Sequence, residues 1–242
     1  MISAILFDLD GTLLDSDMDV FIPQYFRALT TKLAPVIAPA KLMEALTAST
    51  RILLRRKAGG KTNQELFWAD FLPRTGCREA DIVPLLDAFY TNGFPALRRF
   101  TALKPQARPL VTTAFAERFT VAIATQPVFP LAAIRHRLTW AGVDDFSYAL
   151  VTCYENMHST KPDPAFYAEI CERIGHTADA CIMIGNELDA DIRPAAAAGL
   201  HTFWLTDEGQ EGPPDLTIDY IGTLTDARDL LVSGALRAQA CV

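Results

Sequence analysis

The sequence predicts an α/β protein, a doubly wound parallel sheet interrupted by an all-helical insertion. An apolar run at residues 2–7 reads as a buried strand. From about Asp17 to Gly93 the apolar residues fall at helical spacing, with few strand signals. Beyond Gly93, short apolar runs alternate with helical segments. Such alternation implies right-handed βαβ crossovers and a parallel sheet covered by helices on both faces. The expected division is a core of residues 1–15 and 99–242 with a helical domain of residues 16–98 inserted in one loop.

The elements follow in order. After the first strand, Val20, Phe21, Tyr25, Leu29 and Leu33 mark a helix over 19–33, and Pro35 and Pro39 break it. A second helix is expected over 41–57, closed by Gly59-Gly60. Thr62-Asn63-Gln64-Glu65 forms a capping box that opens a third helix, 63–74. A fourth is expected over 80–90, followed by Gly93 and Pro95. Helix 105–118, strand 119–124, helix 130–141 and a short strand at 148–151 come next. Asp163 caps a helix that has Pro164 at its first position and runs to Ile174. A strand at 181–184, a helix at 189–198 ending at Gly199, a strand at 201–205, an edge strand at Tyr220-Ile221 and a helix at 225–233 complete the pattern, a Rossmann-like arrangement.

The chain has 242 residues, of which 50% are hydrophobic and 21% charged, enough for a substantial core. Its net charge of −7 argues against a nucleic-acid partner or an anionic membrane surface, each of which needs a basic face. A phosphorylated substrate remains compatible, because a local cation outweighs the global sign. The five cysteines are scattered, with no C-x-x-C pair, as expected of reduced thiols in a cytoplasmic protein. No basic stretch precedes the first apolar run, and no run reaches the ~18 apolar residues of a membrane span. No G-x-x-x-x-G-K-[ST] motif is present, which argues against a P-loop nucleotide enzyme.

In doubly wound sheets ligands bind at the carboxyl ends of the strands, so the chemistry is sought there. At the first such end, Asp8 and Asp10 lie two apart and project to the same side. Two carboxylates so placed repel unless a cation or a proton intervenes. Gly11 permits a sharp turn, and the Thr12 hydroxyl with nearby backbone N–H groups can face an anion. At the second end, Thr125 and the backbone N–H of Gln126 follow an apolar strand and could hold a phosphate oxygen, although a strand-end threonine is also ordinary β chemistry. Lys161 stands just before a proline-started helix, either a cation for a phosphate site or a solvated loop lysine. At the fourth, Gly185 is followed by Asn186, Glu187, Asp189 and Asp191, oxygen donors of the kind Mg²⁺ takes. Acidic residues favoured by a helix N-terminus would explain Asp189, but not Asn186 and Glu187 at the strand end itself.

Asp8-Leu9-Asp10-Gly11-Thr12, Thr125, Lys161 and Gly185-Asn186-Glu187-x-x-x-Asp191 fall in the order and spacing of the four motifs of the haloacid dehalogenase (HAD) superfamily, which the chain resembles over essentially its whole length. The helical insertion resembles that family's C1-type cap. The resemblance implies a Mg²⁺-dependent phosphatase acting on a small phosphorylated metabolite, as a monomer or homodimer. It implies that Asp8 is the nucleophile that becomes phosphorylated and Asp10 the general acid and base. Thr125 and Lys161 would steady the transferring group, with Gly11, Thr12 and Gln126 around the phosphate. Dehalogenases of the superfamily lack the second aspartate, because a halide leaves without a proton, so Asp10 favours phosphoryl transfer. One departure stands out: the residue after Gly185 is usually an aspartate, and here it is Asn186, an uncharged donor. The expected metal set is Asp8, the Asp10 carbonyl, Asn186 and Asp191, with Glu187 as a further candidate.

In the insertion, Arg51, Arg55, Arg56, Lys57 and Lys61 form a cationic cluster, read as a solvated helix C-terminus in preference to a clamp for an acidic substrate group. Phe67, Trp68 and Phe71 read as helix core in preference to a stacking surface. His158, near Lys161, is read as structural. A phosphomutase, or a catalytically weak binding protein favoured only by Asn186, are the alternative functions.

Overall fold

The computed structural model describes residues 1–55, 59–206 and 210–238. Strand β1 (Ala4–Phe7) is followed by a short β2 (Leu14–Ser16) and helices α1 (Met18–Leu33), α2 (Pro39–Arg55), α3 (Asn63–Thr75) and α4 (Glu79–Asn92). A 3-10 segment (Phe94–Phe100) and β3 (Thr101–Leu103) lead into α5 (Ala107–Ala116), β4 (Thr120–Ile123), α6 (Leu131–Trp140), β5 (Leu150–Val151) and α7 (Pro164–Ile174). Then come β6 (Cys181–Gly185), α8 (Arg193–Ala197), β7 (His201–Leu205), β8 (Tyr220–Gly222), α9 (Leu224–Val232) and α10 (Ala235–Ala238).

The main sheet has six strands in the order β5-β4-β1-β6-β7-β8, each pair parallel. β1 is central and wholly buried. Its side chains alternate between two cores: Ile5 and Phe7 join one, Ala4 and Leu6 the other. That two-residue period on a strand with no polar face is what a sheet covered on both sides demands. The chain winds outward from β1 in one direction through β4 and β5, and in the other through β6, β7 and β8. β1 therefore lies at the topological switch point, where the chain runs from β1 toward β4 on one side and from β6 toward β7 on the other.

In α1, Phe21, Tyr25, Leu29 and Leu33 are buried as their spacing predicts, whereas Val20 is exposed. The α3 capping box forms as read: Thr62 accepts from the Glu65 N–H, and Glu65 accepts from the Thr62 N–H. Such a cap is worth ~1 kcal/mol. The α3 start also docks on the core loops. The Asn63 side chain donates to the Pro127 and Ser159 carbonyls at 3.2 and 3.0 Å, and its N–H donates to the Met157 carbonyl at 2.8 Å.

Two features depart from the sequence reading. The expected helix 189–198 is a π-helical turn, Leu188–Ile192, followed by the shorter α8. The wider turn is anchored by Asp191, whose carboxylate accepts from the Glu187 N–H at 3.0 Å and draws that side chain inward. Second, β2 and β3 pair antiparallel, Leu14 opposite Leu103, and bracket the helical stretch. The second helix begins at Pro39, and Arg56 and Lys57 of the cationic cluster lie outside the described residues, as does Cys241. Cys77, Cys153, Cys171 and Cys181 carry no disulfide. Among the described residues no helix is long and apolar enough to cross a membrane.

Candidate active site

Asp8 directly follows β1, and its N–H donates to the Ile184 carbonyl of β6, so the ladder fixes where its carboxylate emerges. The Ala124 N–H donates to the Phe7 carbonyl at 2.7 Å, which carries the β1–β4 register past the strand and brings Thr125 alongside. The Thr125 side chain is buried, and its carbonyl accepts from the Thr152 hydroxyl at 2.7 Å.

Lys161 enters from the β5–α7 loop. Its Nζ donates to Asp8 Oδ1 at 2.7 Å and to Asp191 Oδ1 at 2.6 Å, and all three residues are buried. Burial opposes the lysine charge, but the carboxylates of Asp191 and Asp8 outweigh it and hold its pKa well above the ordinary lysine value. The Lys161 backbone is itself held: Gln126 Nε2 donates to its carbonyl at 3.1 Å, and its N–H donates to Gln126 Oε1 at 3.0 Å. This paired amide clasp gives Gln126 a task that the sequence reading did not foresee.

Gly11 has φ 81°, in the left-handed region. A Cβ there would stand 2.6 Å from the Asn186 side-chain nitrogen, so the turn requires glycine twice over, by conformation and by space. The Thr12 hydroxyl donates to Asn186 Oδ1 at 3.0 Å, and the Trp204 indole N–H donates to the Asn186 carbonyl at 3.0 Å. The amide oxygen of Asn186 therefore faces the β1 loop.

Asp10 is gripped from two sides. The Ser16 hydroxyl donates to Oδ1 at 2.9 Å, and Arg137 Nη1 forms an ion pair with Oδ2. Arg137 lies on α6 and is buried; nothing in the sequence distinguishes it from its exposed helix neighbour Arg135. Burial raises the carboxyl pKa of Asp10, opposed by Arg137 and reinforced by Asp8. Glu187 and Asp191 are likewise raised, by burial first, with Asp8 adding repulsion and Lys161 opposing it. Four carboxyl groups thus share this site with two cationic side chains, Lys161 and Arg137.

Lys161 joins Asp8 to Asp191, and Thr12 joins its own loop to Asn186, so predicted residues of the first, third and fourth motifs meet. Among the described residues no group of three or more His, Cys, Asp or Glu side chains is arranged to hold a metal ion. Of the residues expected around a metal, Asp8 and Asp191 share the Lys161 ammonium, and the Asn186 amide oxygen accepts from Thr12. His158 bonds Glu169 through its N–H and ring, and Ser159 bonds the same carboxylate, so this histidine holds the loop before Lys161. Asp189 is exposed and pairs with Arg193. Arg51 and Arg55 are exposed, in keeping with a solvated helix end.

The sequence profile of the haloacid dehalogenase-like hydrolases matches residues 2–199. The chain belongs to this family. Among relatives of the HAD-like hydrolase, a phosphoglycolate phosphatase of Agrobacterium fabrum is 28% identical over 240 residues, covering 96% of each chain. A phosphoserine phosphatase of Thermus thermophilus is 27% identical over 63% of this chain and 57% of its own length. Among solved structures, a 2-haloacid dehalogenase of Pseudomonas syringae pv. Tomato superposes with a TM-score of 0.64 at 22% identity, over 96% of this chain and 99% of that one. At that identity the likeness speaks for the fold.

Proposed function

We propose that this HAD-like hydrolase is a Mg²⁺-dependent phosphatase of small phosphate monoesters, working through a phosphorylated Asp8. The observation that carries the reading is the buried contact of Lys161 with Asp8 at the switch point, together with a second aspartate, Asp10, held beside it. Relatives named for phosphoglycolate and phosphoserine, both small phosphate monoesters, support the substrate class.

An Asp8 oxygen attacks phosphorus; the Asp8–phosphorus bond forms as the bond to the leaving oxygen breaks. Asp10 gives its proton to that oxygen. Asp10 then takes a proton from water, the water oxygen bonds phosphorus, and the Asp8–phosphorus bond breaks to release inorganic phosphate. General acid/base help supplies ~10²–10⁴-fold. Charge stabilisation and alignment by Lys161, the Thr125 hydroxyl, Thr12 and the Gly11 loop would supply more. The donor set fits Mg²⁺, which takes one or two carboxylates and otherwise neutral oxygens. Asp8, Asp191, Asn186 and the Asp10 carbonyl would hold it. When bound it neutralises the phosphoryl oxygens against the surrounding carboxylates.

Residues 16–98 are read as a cap over a core of 1–15 and 99–242. A cavity of about 100 Å³ is walled mostly by this segment, through Tyr25, Phe67, Trp68 and Phe71, and closed by Phe129 and Tyr154 of the rest of the chain. Phe71 is buried and Phe67 and Trp68 pack against the core, as expected, and all three also line this space. The four described cysteines, scattered and free of disulfides, support a cytoplasmic enzyme.

The test is phosphate release from an aryl phosphate and from a panel of small phosphate esters, with Mg²⁺ and with EDTA. Metal-dependent release, lost in Asp8→Asn, supports the reading. Conversion of a sugar phosphate to its isomer without free phosphate would make the protein a phosphomutase instead.

A further inference from the structure

Arg137 belongs to none of the four strand-end motifs, yet it is 1% exposed and reaches the candidate site from helix α6. A buried guanidinium is costly, and a hydrophobic side chain of similar size there would often be neutral or stabilising. The cost is not fully recovered, since Nε and Nη2 have no hydrogen-bond partner. Its guanidinium carbon lies 4.5 Å from the centre of the Phe129 ring, and its Nη1 pairs with Asp10 Oδ2. Stability alone does not account for such a residue. Its geometry does one specific thing: with the Ser16 hydroxyl on Oδ1 at 2.9 Å, it fixes both oxygens of Asp10. Each carboxylate oxygen has two acceptor positions, so each keeps one through which a proton can pass. Phe129 covers a face of the guanidinium and limits its freedom to turn.

We propose that Arg137, together with Ser16, is a positioning residue that fixes the Asp10 carboxyl for proton transfer with the leaving oxygen and the attacking water. This rests on the reading of Asp10 as the acid/base group. In the first step the Asp10 O–H bond breaks as the proton joins the leaving oxygen, which keeps the electron pair of the broken P–O bond. In the second step water returns a proton to the same carboxylate as its oxygen bonds phosphorus. Arg137 exchanges no proton itself.

The consequence is a dependence on leaving group that a merely structural residue would lack. A dinitrophenolate departs without a proton, whereas an alkoxide needs one. The experiment measures kcat/KM for dinitrophenyl, nitrophenyl, phenyl and alkyl phosphates, with Mg²⁺, for the wild type, Arg137→Met, Arg137→Lys, Ser16→Ala and Asp10→Asn. Arg137→Met should lose ~100-fold on the alkyl ester, within the range of general acid/base effects, and only a few-fold on the dinitrophenyl ester. Ser16→Ala should show the same trend more weakly, and Arg137→Lys should recover part of the loss. Equal fractional losses across the series, in Arg137→Met and in Ser16→Ala, would overturn the positioning role. Should Arg137→Met fail to fold, Ser16→Ala decides alone. An Asp10→Asn variant without leaving-group dependence, or a wild type inert on every ester, would instead overturn the acid/base reading of Asp10, and the proposal with it.

Discussion

Lys161 donates to Asp8 at 2.7 Å across 153 residues of sequence, and the same ammonium holds Asp191 at 2.6 Å. This single cation makes a buried pair of carboxylates tolerable beneath the carboxyl end of β1. A lone buried charge is far costlier than a paired one, so the three residues form a unit in which each side chain depends on the others.

Lys161→Met should therefore destabilise the protein by ~3–5 kcal/mol, the usual cost of breaking a buried pair from one side. Urea denaturation in EDTA measures it. Added Mg²⁺ should raise the midpoint more in the variant than in the wild type, because the two carboxylates then lack a cation and binding to the native state stabilises it. An equal rise in both would separate the metal from these carboxylates.

Asn186→Asp should tighten Mg²⁺ binding about tenfold, ~1.4 kcal/mol, by calorimetry. The Thr12 hydroxyl that donates to Asn186 Oδ1 can donate equally to a carboxylate oxygen, so the local geometry survives the change. An unchanged or weaker affinity would remove Asn186 from the metal set.

Gly11→Ala should lower stability by ~1–3 kcal/mol, the cost of a strained backbone position. A methyl group would have to share the space of the Asn186 side chain at φ 81°. Thermal denaturation reads the loss, and phosphate release should fall with it because Asn186 is pushed from its place.

Gln126→Ala removes both hydrogen bonds that hold the Lys161 backbone. At ~1 kcal/mol each, the expected loss is ~2 kcal/mol by urea denaturation. kcat should fall more than KM rises, because the lysine loses alignment while its charge remains. A KM effect alone would place Gln126 on the substrate.

Much of this was legible in the sequence because it is local. Asp8 and Asp10 sit two apart after an apolar strand, Thr62 and Glu65 form their capping box, and Asp163-Pro164 opens α7. Each follows from neighbours within a few residues. What escaped is what pairs at a distance. β2 and β3 are three residues each and become strands only because Leu14 finds Leu103 across the helical insertion. Arg137 reads as an ordinary helix arginine; only the fold shows that its position faces Asp10. Gln126 reads as a strand-end residue, and its grip on Lys161 appears only once two loops meet. The π-helical turn at Leu188–Ile192 depends on the Asp191 carboxylate folding back to the Glu187 N–H, a contact that helical periodicity does not encode.

In the proposed reaction Asp8 carries the phosphoryl group. The most direct test of this is an acid-quenched reaction of the enzyme with Mg²⁺ and a rapidly cleaved aryl phosphate, followed by mass analysis of the peptides. One added phosphoryl group is expected on the peptide containing Asp8, accumulating further in Asp10→Asn, where water is no longer deprotonated, and absent in Asp8→Asn. Phosphate released at full rate by Asp8→Asn, with no labelled peptide in any variant, would contradict it.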